Sequence, residues 1–590
     1  MNAERLLALY ERVADAPDAI ARLRRFVLDL AVRGRLVPQD PNDEPASELL
    51  KRIAAEKARL VKAGEISKAK ALPPVDDDPF VLPANWRWVR IREIASDRGQ
   101  RVPDRDFTYI DVTSINKEVG VVANPKILSK DGAPSRARKA VRKGDVLYSC
   151  VRPYLLNVAV LDQDFDPTPI ASTAFAVLNG HGLVEPRYIW IVLRSPFMVE
   201  CVEESQRGQA YPAINDADFA VLPFPLPPLA EQRRIVAKVE ELMALLDRLE
   251  AARQAREATR DRFTAATLAR LTAPEPQPAG EGEEPATPPA ADVEGQPRTA
   301  GPAPACGAGP GPARFALDAL GPLTTRPDQV KALRQTILNL AVRGRLVPQD
   351  PNDEPASELL KRIAAEKARL VKAGEHRPDK LSWAGVEAEI DSRLPTNWAC
   401  ACLAEVTFCL DHRRVPVNGA ERDARIRGRN QRDLFPYYGA TQQQGWIDDF
   451  LFDGEFVLLG EDGVPFDDPL RAKAYVIRGR CWVNNHAHVF QPVLVLPEFV
   501  AHYLNVFDYS GRVMGATRAK LNQAQALTIP VPLPPLAEQR RIVAKVEELM
   551  ALCDALEAAL VTASTTRTRL LSALLHEALA PAPAEREAAQ

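Results

Sequence analysis

The chain lacks most of the marks of a familiar enzyme. It has no GxxxxGK[ST] loop, the backbone cradle that binds phosphates. Its eight cysteines, at 150, 201, 306, 400, 402, 409, 481 and 553, include no CxxC pair and no zinc spacing. Cys400 and Cys402 read as strand residues rather than ligands. This usage predicts reduced thiols and a cytoplasmic location. No apolar run approaches the roughly 20 residues that span a bilayer. The N-terminal stretch MNAERLLALYERVADAPDAI is charged and has no apolar leader core, so no membrane partner is expected. Positive charge is not in excess either. The formal net charge is −3 over 590 residues, whereas nucleic-acid binders are often basic overall.

What the chain does have is repetition. The segment LAVRGRLVPQDPNDEPASELLKRIAAEKARLVKAGE runs from Leu30 to Glu65 and recurs unchanged from Leu340 to Glu375, an offset of 310 residues. PLPPLAEQRRIVAKVEELMAL runs from Pro225 to Leu245 and recurs from Pro532 to Leu552, an offset of 307. A shorter anchor, LPxNW, ends at Trp86 and again at Trp398. The stretches between these anchors do not match. The pattern is that of one frame holding two different fillings.

The anchors carry their own structural signals. Leu23, Val27 and Leu30 fall three or four residues apart, giving one apolar helical stripe. PQDPNDEP breaks it with two prolines. A second helix is expected from near Pro45, since proline suits the first helical position, with Gly64 as its stop. Pro227 and Pro228 suit the first turn of a further helix, and Glu231 meets the positive end of its dipole. Ile235, Val239, Leu242, Leu246 and Leu249 then step 4-3-4-3, a heptad seam. Ile542, Val546, Leu549, Cys553, Leu556 and Leu560 keep the same beat. Such a helix could run about 40 residues, or about 60 Å. So narrow a stripe wants a partner helix, and the other copy is the first candidate. Packing of each helix on its own domain is the alternative.

Between the halves lies a stretch of Pro, Ala, Gly and Glu, which predicts a disordered tether. The variable regions are mixed and strand-rich, with short β-branched runs broken by Gly and Pro. Charge is uneven within them. From Arg98 to Lys143 there are eleven Lys/Arg against five Asp/Glu, and from Arg413 to Arg432 seven Arg against two acids. These strips fit either an ordinary solvated surface or local contacts to phosphates.

Together these segments resemble the specificity subunits of type I restriction–modification systems. The two long repeats are similar to that family's helical regions. YIDVTSIN (109–116), RARKAVRKGDVLYSCVRPYLLN (136–157) and GQAYPAI (208–214) resemble motifs of its target recognition domains. So do YYGATQQQGWIDD (437–449), GEDG (460–463) and CWVNNHAHV (481–489). The resemblance implies an α+β fold with a pseudo-two-fold internal repeat. Two globular mixed α/β target recognition domains would be joined by long helices forming an antiparallel coiled coil.

Boundaries then fall as follows. A helical region covers 1–79, the first recognition domain 80–224, a long helix 225–271 and the disordered linker 272–313. A second helical region covers 314–392, the second recognition domain 393–531, a long helix 532–580 and a disordered tail 581–590. The resemblance further implies a DNA-reading protein without chemistry of its own. Its partners would be double-stranded DNA, two adenine-methyltransferase subunits and two restriction/translocase subunits. S-adenosylmethionine, ATP and Mg would be bound only by those partners, leaving this chain without a cofactor.

Base reading needs paired hydrogen-bonding groups, Arg for guanine and Asn or Gln for adenine. The first region offers Arg98, Gln100, Arg101, Ser114, Asn116, Lys117, Arg207, Gln209 and Tyr211. The second offers Arg427, Arg429, Gln442, Gln443, Gln444, Asn485, Arg518 and Asn522. Arg136, Arg138, Lys139, Arg152, Lys473 and Lys520 suit phosphates, which position without specifying.

Catalysis finds less support. His486 and His488 would share one strand face, but no acidic partner follows at a known spacing. Asp462 reads as a turn residue, and Asp467, Asp468 and Lys473 make no metal-nuclease set. No catalytic or metal-binding residue is therefore assigned. Two other readings stand against this one: a coiled-coil adaptor that binds proteins only, and a nuclease or methyltransferase with an unrecognised site.

Overall fold

Three repeated anchors converge on one buried carboxylate, and they do so twice. In a computed structural model, residues 14–67, 72, 75, 78–208, 211–272, 324–377, 394–515 and 519–579 are described. The linker 272–313, apart from Thr272, and the tail 581–590 lie outside them. The chain divides into two units, Met1–Arg256 with Ser564–Gln590, and Glu257–Ala563.

In the first unit, a leading helix Ala19–Val32 buries Phe26, Val27, Leu28, Ala31 and Val32, a wider face than the Leu23–Val27–Leu30 stripe. Gly34, at φ 66°, ends it. Pro45 is the N-cap of Ala46–Lys62 and not its first helical residue, so the helix starts one residue later than expected, and Gly64 at φ 74° follows it. The same pair recurs as Pro327–Val342 and Ala356–Lys372. Trp86 leads into the strand Arg87–Arg90, which pairs antiparallel with Pro223–Leu226. The second unit pairs Ala399–Cys402 with Pro530–Leu533 in the same way. Each ribbon closes the neck of a variable domain and runs into a long helix, Leu229–Thr272 or Leu536–Leu579, each of 44 residues.

At each helix start sits the shared carboxylate. Glu231 accepts from Trp86 Nε1 at 2.9 Å and from Gln39 Nε2 at 2.5 Å. One turn on, Arg234 pairs with Asp43 at 2.7 Å. Glu538 accepts from Trp398 at 3.0 Å and from Gln349 at 2.6 Å, and Arg541 pairs with Asp353 at 2.7 Å. Burial raises the pKa of both glutamates, against the pull of these donors.

The heptad seams are filled within each unit. Ile235, Val239 and Leu246 are buried in one core with Val27, Ala31, Trp86 and Tyr188. Ile542, Val546 and Cys553 are buried with Val330, Ile337, Trp398 and Phe499. Ion pairs edge both seams: Arg24 meets Asp247 at 2.6 Å and Glu250 at 2.8 Å, and Arg334 meets Asp554 at 2.5 Å and Glu557 at 2.7 Å. The far ends of the helices are exchanged. Leu571 and Leu574 pack with Ala16 and Ala19 in the first unit, and Leu268 and Leu271 with Ala332 and Leu333 in the second. Each long helix thus begins in one unit and ends in the other.

The variable domains are mixed α/β, and the chain is α+β. In the first, a five-stranded sheet runs Phe175–Leu178, Val146–Ser149, Val158–Val160, Val121–Val122, Ile115–Asn116. A four-stranded sheet runs Lys126–Leu128, Phe107–Ile110, Pro169–Ser172, Ala137–Ala140. In the second, a four-stranded sheet runs Thr407–Cys409, Ala487–Pro492, Glu455–Gly460, Ala474–Arg478. A three-stranded sheet joins Gln443–Ile447, Phe435–Tyr438 and Trp482–Val483.

Leu536–Leu579 holds an 18-residue window of mean hydropathy 1.3, long and apolar enough by length and composition to cross a membrane, with 6% of it buried. Much of that apolarity is alanine, which raises hydropathy while presenting little apolar area.

Two outcomes follow from this packing. A Cβ at Gly34 would meet the Pro83 ring and Trp86, whereas at Gly64 it meets open space. Gly34→Ala and Gly64→Ala each incur about 1–2 kcal/mol of left-handed strain. Gly34→Ala adds about 1–3 kcal/mol of overpacking, read as a lower denaturant midpoint than Gly64→Ala shows. The second outcome concerns His502. Its buried Nε2 has no hydrogen-bond partner, and burial lowers its pKa to about 4. Below the ordinary value of about 6.5 the unfolded chain binds a proton that the folded chain refuses, so stability falls with pH down to about 4. Between pH 7 and 5 the loss from this residue is about 2 kcal/mol. Unfolding of His502→Leu should be flatter in pH by that amount, and equal slopes would exclude the assignment.

Candidate nucleic-acid interface

Several of the polar residues singled out by type are engaged inside the first domain. Ser114 is 1% exposed and closes the turn on Asp111, its Oγ accepting from the Asp111 backbone N–H at 3.2 Å. Lys139 is 5% exposed and bridges Asp97 at 2.6 Å and Asp216 at 3.0 Å. Burial works against its ammonium, but the two aspartates outweigh burial and raise its pKa. Arg98 grips the fully buried Asp145 through Nε, at 2.9 and 2.7 Å. Burial raises the pKa of Asp145 against the pull of Arg98 and of Asn179. These three side chains hold the fold and are withdrawn as DNA contacts. Asn116 is exposed but accepts from the backbone of Glu118 and Val119, as a turn former does.

Other residues are tied only at the surface. Arg101 meets Asp104 at 3.0 Å and Arg207 meets Asp218 at 3.0 Å, both on exposed side chains. Exposed pairs contribute roughly 0–1 kcal/mol, so either arginine is available to a phosphate. Gln100, Lys117, Arg136, Arg152 and Tyr211 are exposed, and Arg138 is half-buried. The Arg152 guanidinium lies 5.1 Å from the centre of the Tyr211 ring. Gln209 lies outside the described residues. Sequence reasoning passed over Val151, Tyr154 and Leu155, which share this tip and are 43%, 51% and 38% exposed. The signal for Tyr154 and Leu155 was RPYLL, large apolar residues directly behind a proline.

In the second domain Lys473 is 2% exposed and donates to the Asp468 carbonyl at 2.6 Å, so it too is withdrawn from phosphate contact. Burial lowers its pKa. Asn522 caps the helix Gln523–Leu527 by accepting from the Gln525 N–H, and leaves the set of base readers. Arg429 pairs with Asp448 at 3.0 Å, and Lys520 with Glu461 at 3.0 Å. Arg518 lies outside the described residues. Gln442 is exposed on the turn joining Phe435–Tyr438 to Gln443–Ile447, and Gln443 and Gln444 are exposed at the start of that second strand, with Gln443 Nε2 donating to the Gly445 carbonyl at 2.9 Å. Asn485 and Arg427 are exposed as well.

Asp411, Glu461 and His488 bring candidate ligand atoms within 4.8 Å of one another, partners that the sequence spacing did not reveal. The chemistry does not suit a cation. Arg414 reaches Glu461 at 2.8 Å and Asp411 at 3.2 Å, and Lys520 also reaches Glu461. His488 Nδ1 faces Asp411 at 2.6 Å, and Nε2 lies 2.9 Å from the Leu521 carbonyl. A carbonyl oxygen only accepts, so Nε2 carries its proton there and has no lone pair for a metal. The carboxylates are already neutralised by the protein's own cations. His486 is held separately by Asp462 at 2.7 Å.

The type I restriction modification DNA specificity domain matches residues 83–257 and 425–562. The chain is 31% identical over 599 residues to the type I restriction enzyme EcoAI specificity subunit of Escherichia coli, covering 95% of this chain and 94% of that one. It is 30% identical over 603 residues to the EcoEI specificity subunit of Escherichia coli, with the same coverage of both. Among solved structures, the HsdS subunit from Thermoanaerobacter tengcongensis is 24% identical, covers 85% of this chain and 98% of its own, and superposes with a TM-score of 0.43.

The two classes of arginine should separate by experiment. Arg98→Ala strands the buried Asp145 and should lower stability by about 3–5 kcal/mol in denaturant titrations. Arg427→Ala should change stability by less than about 0.5 kcal/mol and weaken DNA binding instead. A stable Arg98→Ala protein would refute the division.

Proposed function

The chain belongs to the specificity subunits of type I restriction–modification systems, and on that premise we propose that it reads a bipartite, asymmetric DNA target. It carries two target recognition domains. The observation that supports the reading is the frame. Two unlike domains sit on necks, leading helices and helix starts whose hydrogen bonds agree within 0.1 Å (2.9 and 2.5 Å against 3.0 and 2.6 Å). Equal frames favour two half-sites in related positions, and unequal fillings favour different sequences in each. Half-sites about one helical turn apart, roughly 34–36 Å, suit an approximate two-fold. The long helices would set the unread spacer.

Identity of the repeats extends to exposed residues. The surface ion pairs Lys51–Glu48 and Arg52–Glu44 recur as Lys361–Glu358 and Arg362–Glu354. Burial cannot account for identity at such positions, and recognition of the same partner twice can. That partner would be the adenine-methylating subunit, in two copies, with two restriction/translocase subunits joining them. S-adenosylmethionine, ATP and Mg would act in those subunits, and the complex would work in the cytoplasm, where its DNA is. No catalytic role is assigned to this chain.

Co-expression with the cognate methylating subunit in a methylation-free host, followed by mapping of modified adenines, tests the reading. One bipartite motif with unlike halves is expected, and exchange of residues 393–531 for another second domain should change one half only. An assembled complex that marks no motif would overturn it.

A further inference from the structure

Resting on the DNA-reading assignment, we propose that Arg152 reads a base, a guanine in the half-site of the first domain, with Tyr211 as the residue that positions its guanidinium. By residue type Arg152 would serve equally well on a phosphate. Its setting favours the base.

The base of the loop is fixed. The strand Val146–Ser149 leads into Cys150, whose carbonyl accepts from the Ile214 N–H at 3.0 Å. Arg152 N–H donates to the Pro212 carbonyl at 2.9 Å, and Ser149 Oγ donates to the Val151 carbonyl at 2.9 Å. Above this base the backbone adopts a disfavoured conformation. Arg152 at φ 49° and Leu156 at φ 51° bracket a single 3-10 turn, Pro153–Leu155. The described residues contain four non-glycine positions at positive φ, and two of them are here. Such positions cluster at functional sites, where the surrounding bonds over-determine them.

The outcome is a hydrogen-bonded tip with an apolar surface. Tyr211 is 70% exposed, and Val151, Tyr154 and Leu155 surround the same loop in the open. Arg152 stands over the Tyr211 ring and makes no ion pair among the described residues. Arg98, Arg101 and Arg207 of the same domain each face an aspartate. An arginine that is unpaired, stacked and pre-oriented suits the two acceptors of guanine, O6 and N7, in the major groove. Apolar neighbours suit a thymine methyl and the groove floor, whereas a phosphate contact calls for neither stacking nor apolar surroundings.

The test uses the chain in complex with its methylating subunit. Duplexes carry the mapped target and every single-pair substitution in both half-sites. Arg152→Gly keeps the left-handed backbone that glycine adopts freely. It should reduce discrimination at one G·C pair of one half-site tenfold or more and leave the other half-site unchanged. Arg152→Lys should not restore it, since an ammonium cannot bond both acceptors in a fixed fork. Tyr211→Phe should retain discrimination, and Tyr211→Ala, at an exposed ring, should lose part of it even if position 152 tolerates no change. Uniform weakening on all sequences with a shallower salt dependence would make Arg152 a phosphate contact and overturn the proposal. Unchanged DNA binding with loss of the co-purified subunit would overturn it in favour of a protein-docking tip. A wild-type complex without any sequence preference would instead overturn the DNA-reading assignment beneath it.

Discussion

A carboxylate buried at the first turn of a long helix organises each half of this molecule. Glu231 is 1% exposed and Glu538 is 1% exposed. Burying an ion is costly unless its lone pairs are taken, and here the chain supplies the donors from far away: Trp86 and Gln39 in one half, Trp398 and Gln349 in the other. The positive end of the helix dipole adds to them. All three repeated anchors therefore meet at one atom group, the leading segment through Gln39 and Asp43, LPxNW through its tryptophan, and the helix start through Glu231 and Arg234. Loss of any one donor leaves the charge short of a partner. That shared dependence gives a physical reason for the three anchors to repeat together while the chain between them diverges.

From that junction the rest of the architecture is set. The tryptophan fixes the first strand of the neck ribbon, the carboxylate fixes the helix that leaves it, and the variable domain hangs between the two. The seam then buries Ile235 and Val239, or Ile542 and Val546, beside the tryptophan itself. A domain inserted at such a neck can change its own sheets without moving the helix. The two domains illustrate this, with sheets of five and four strands in one and of four, three and two in the other among the described residues.

Much of this frame was legible in the sequence, because helices and their seams are written in local periodicity. The 4-3-4-3 beat, the prolines before each long helix and the glycines after the leading helices all mark real boundaries. What local pattern could not give was partnership. The narrow seam called for a helix but did not name it, and in each unit residues of the leading helix far away in the sequence, Val27 beside Ile235 and Val330 beside Ile542, help to fill it. The site residues show the same limit more sharply. Lys139 and Arg98 look alike as members of a basic strip, yet Asp97, Asp216 and Asp145 remove them from the surface. Those aspartates come from distant positions, as do the acids that hold His486 and His488. Residue type identified the class of chemistry, and only burial separated residues that hold the domain from residues that face outward.

The relation between the two recognition domains follows from the same separation. Asn215 and Asn522 are 307 residues apart, the offset of the long helices, and each caps a short helix of five residues just before the second neck strand. Gly208 and Gly515 keep that offset too and share positive φ, at 89° and 99°. The two glycines thus share a backbone conformation, although the side chains beside them differ: Arg207 in one domain, Met514 in the other. Had the geometry varied along with the residues, each new specificity would require a new fold of the tip. With the cap, the neck and the buried glutamate held alike, a change of specificity can be confined to the chain between them. That is the condition under which one frame can serve unlike DNA sequences.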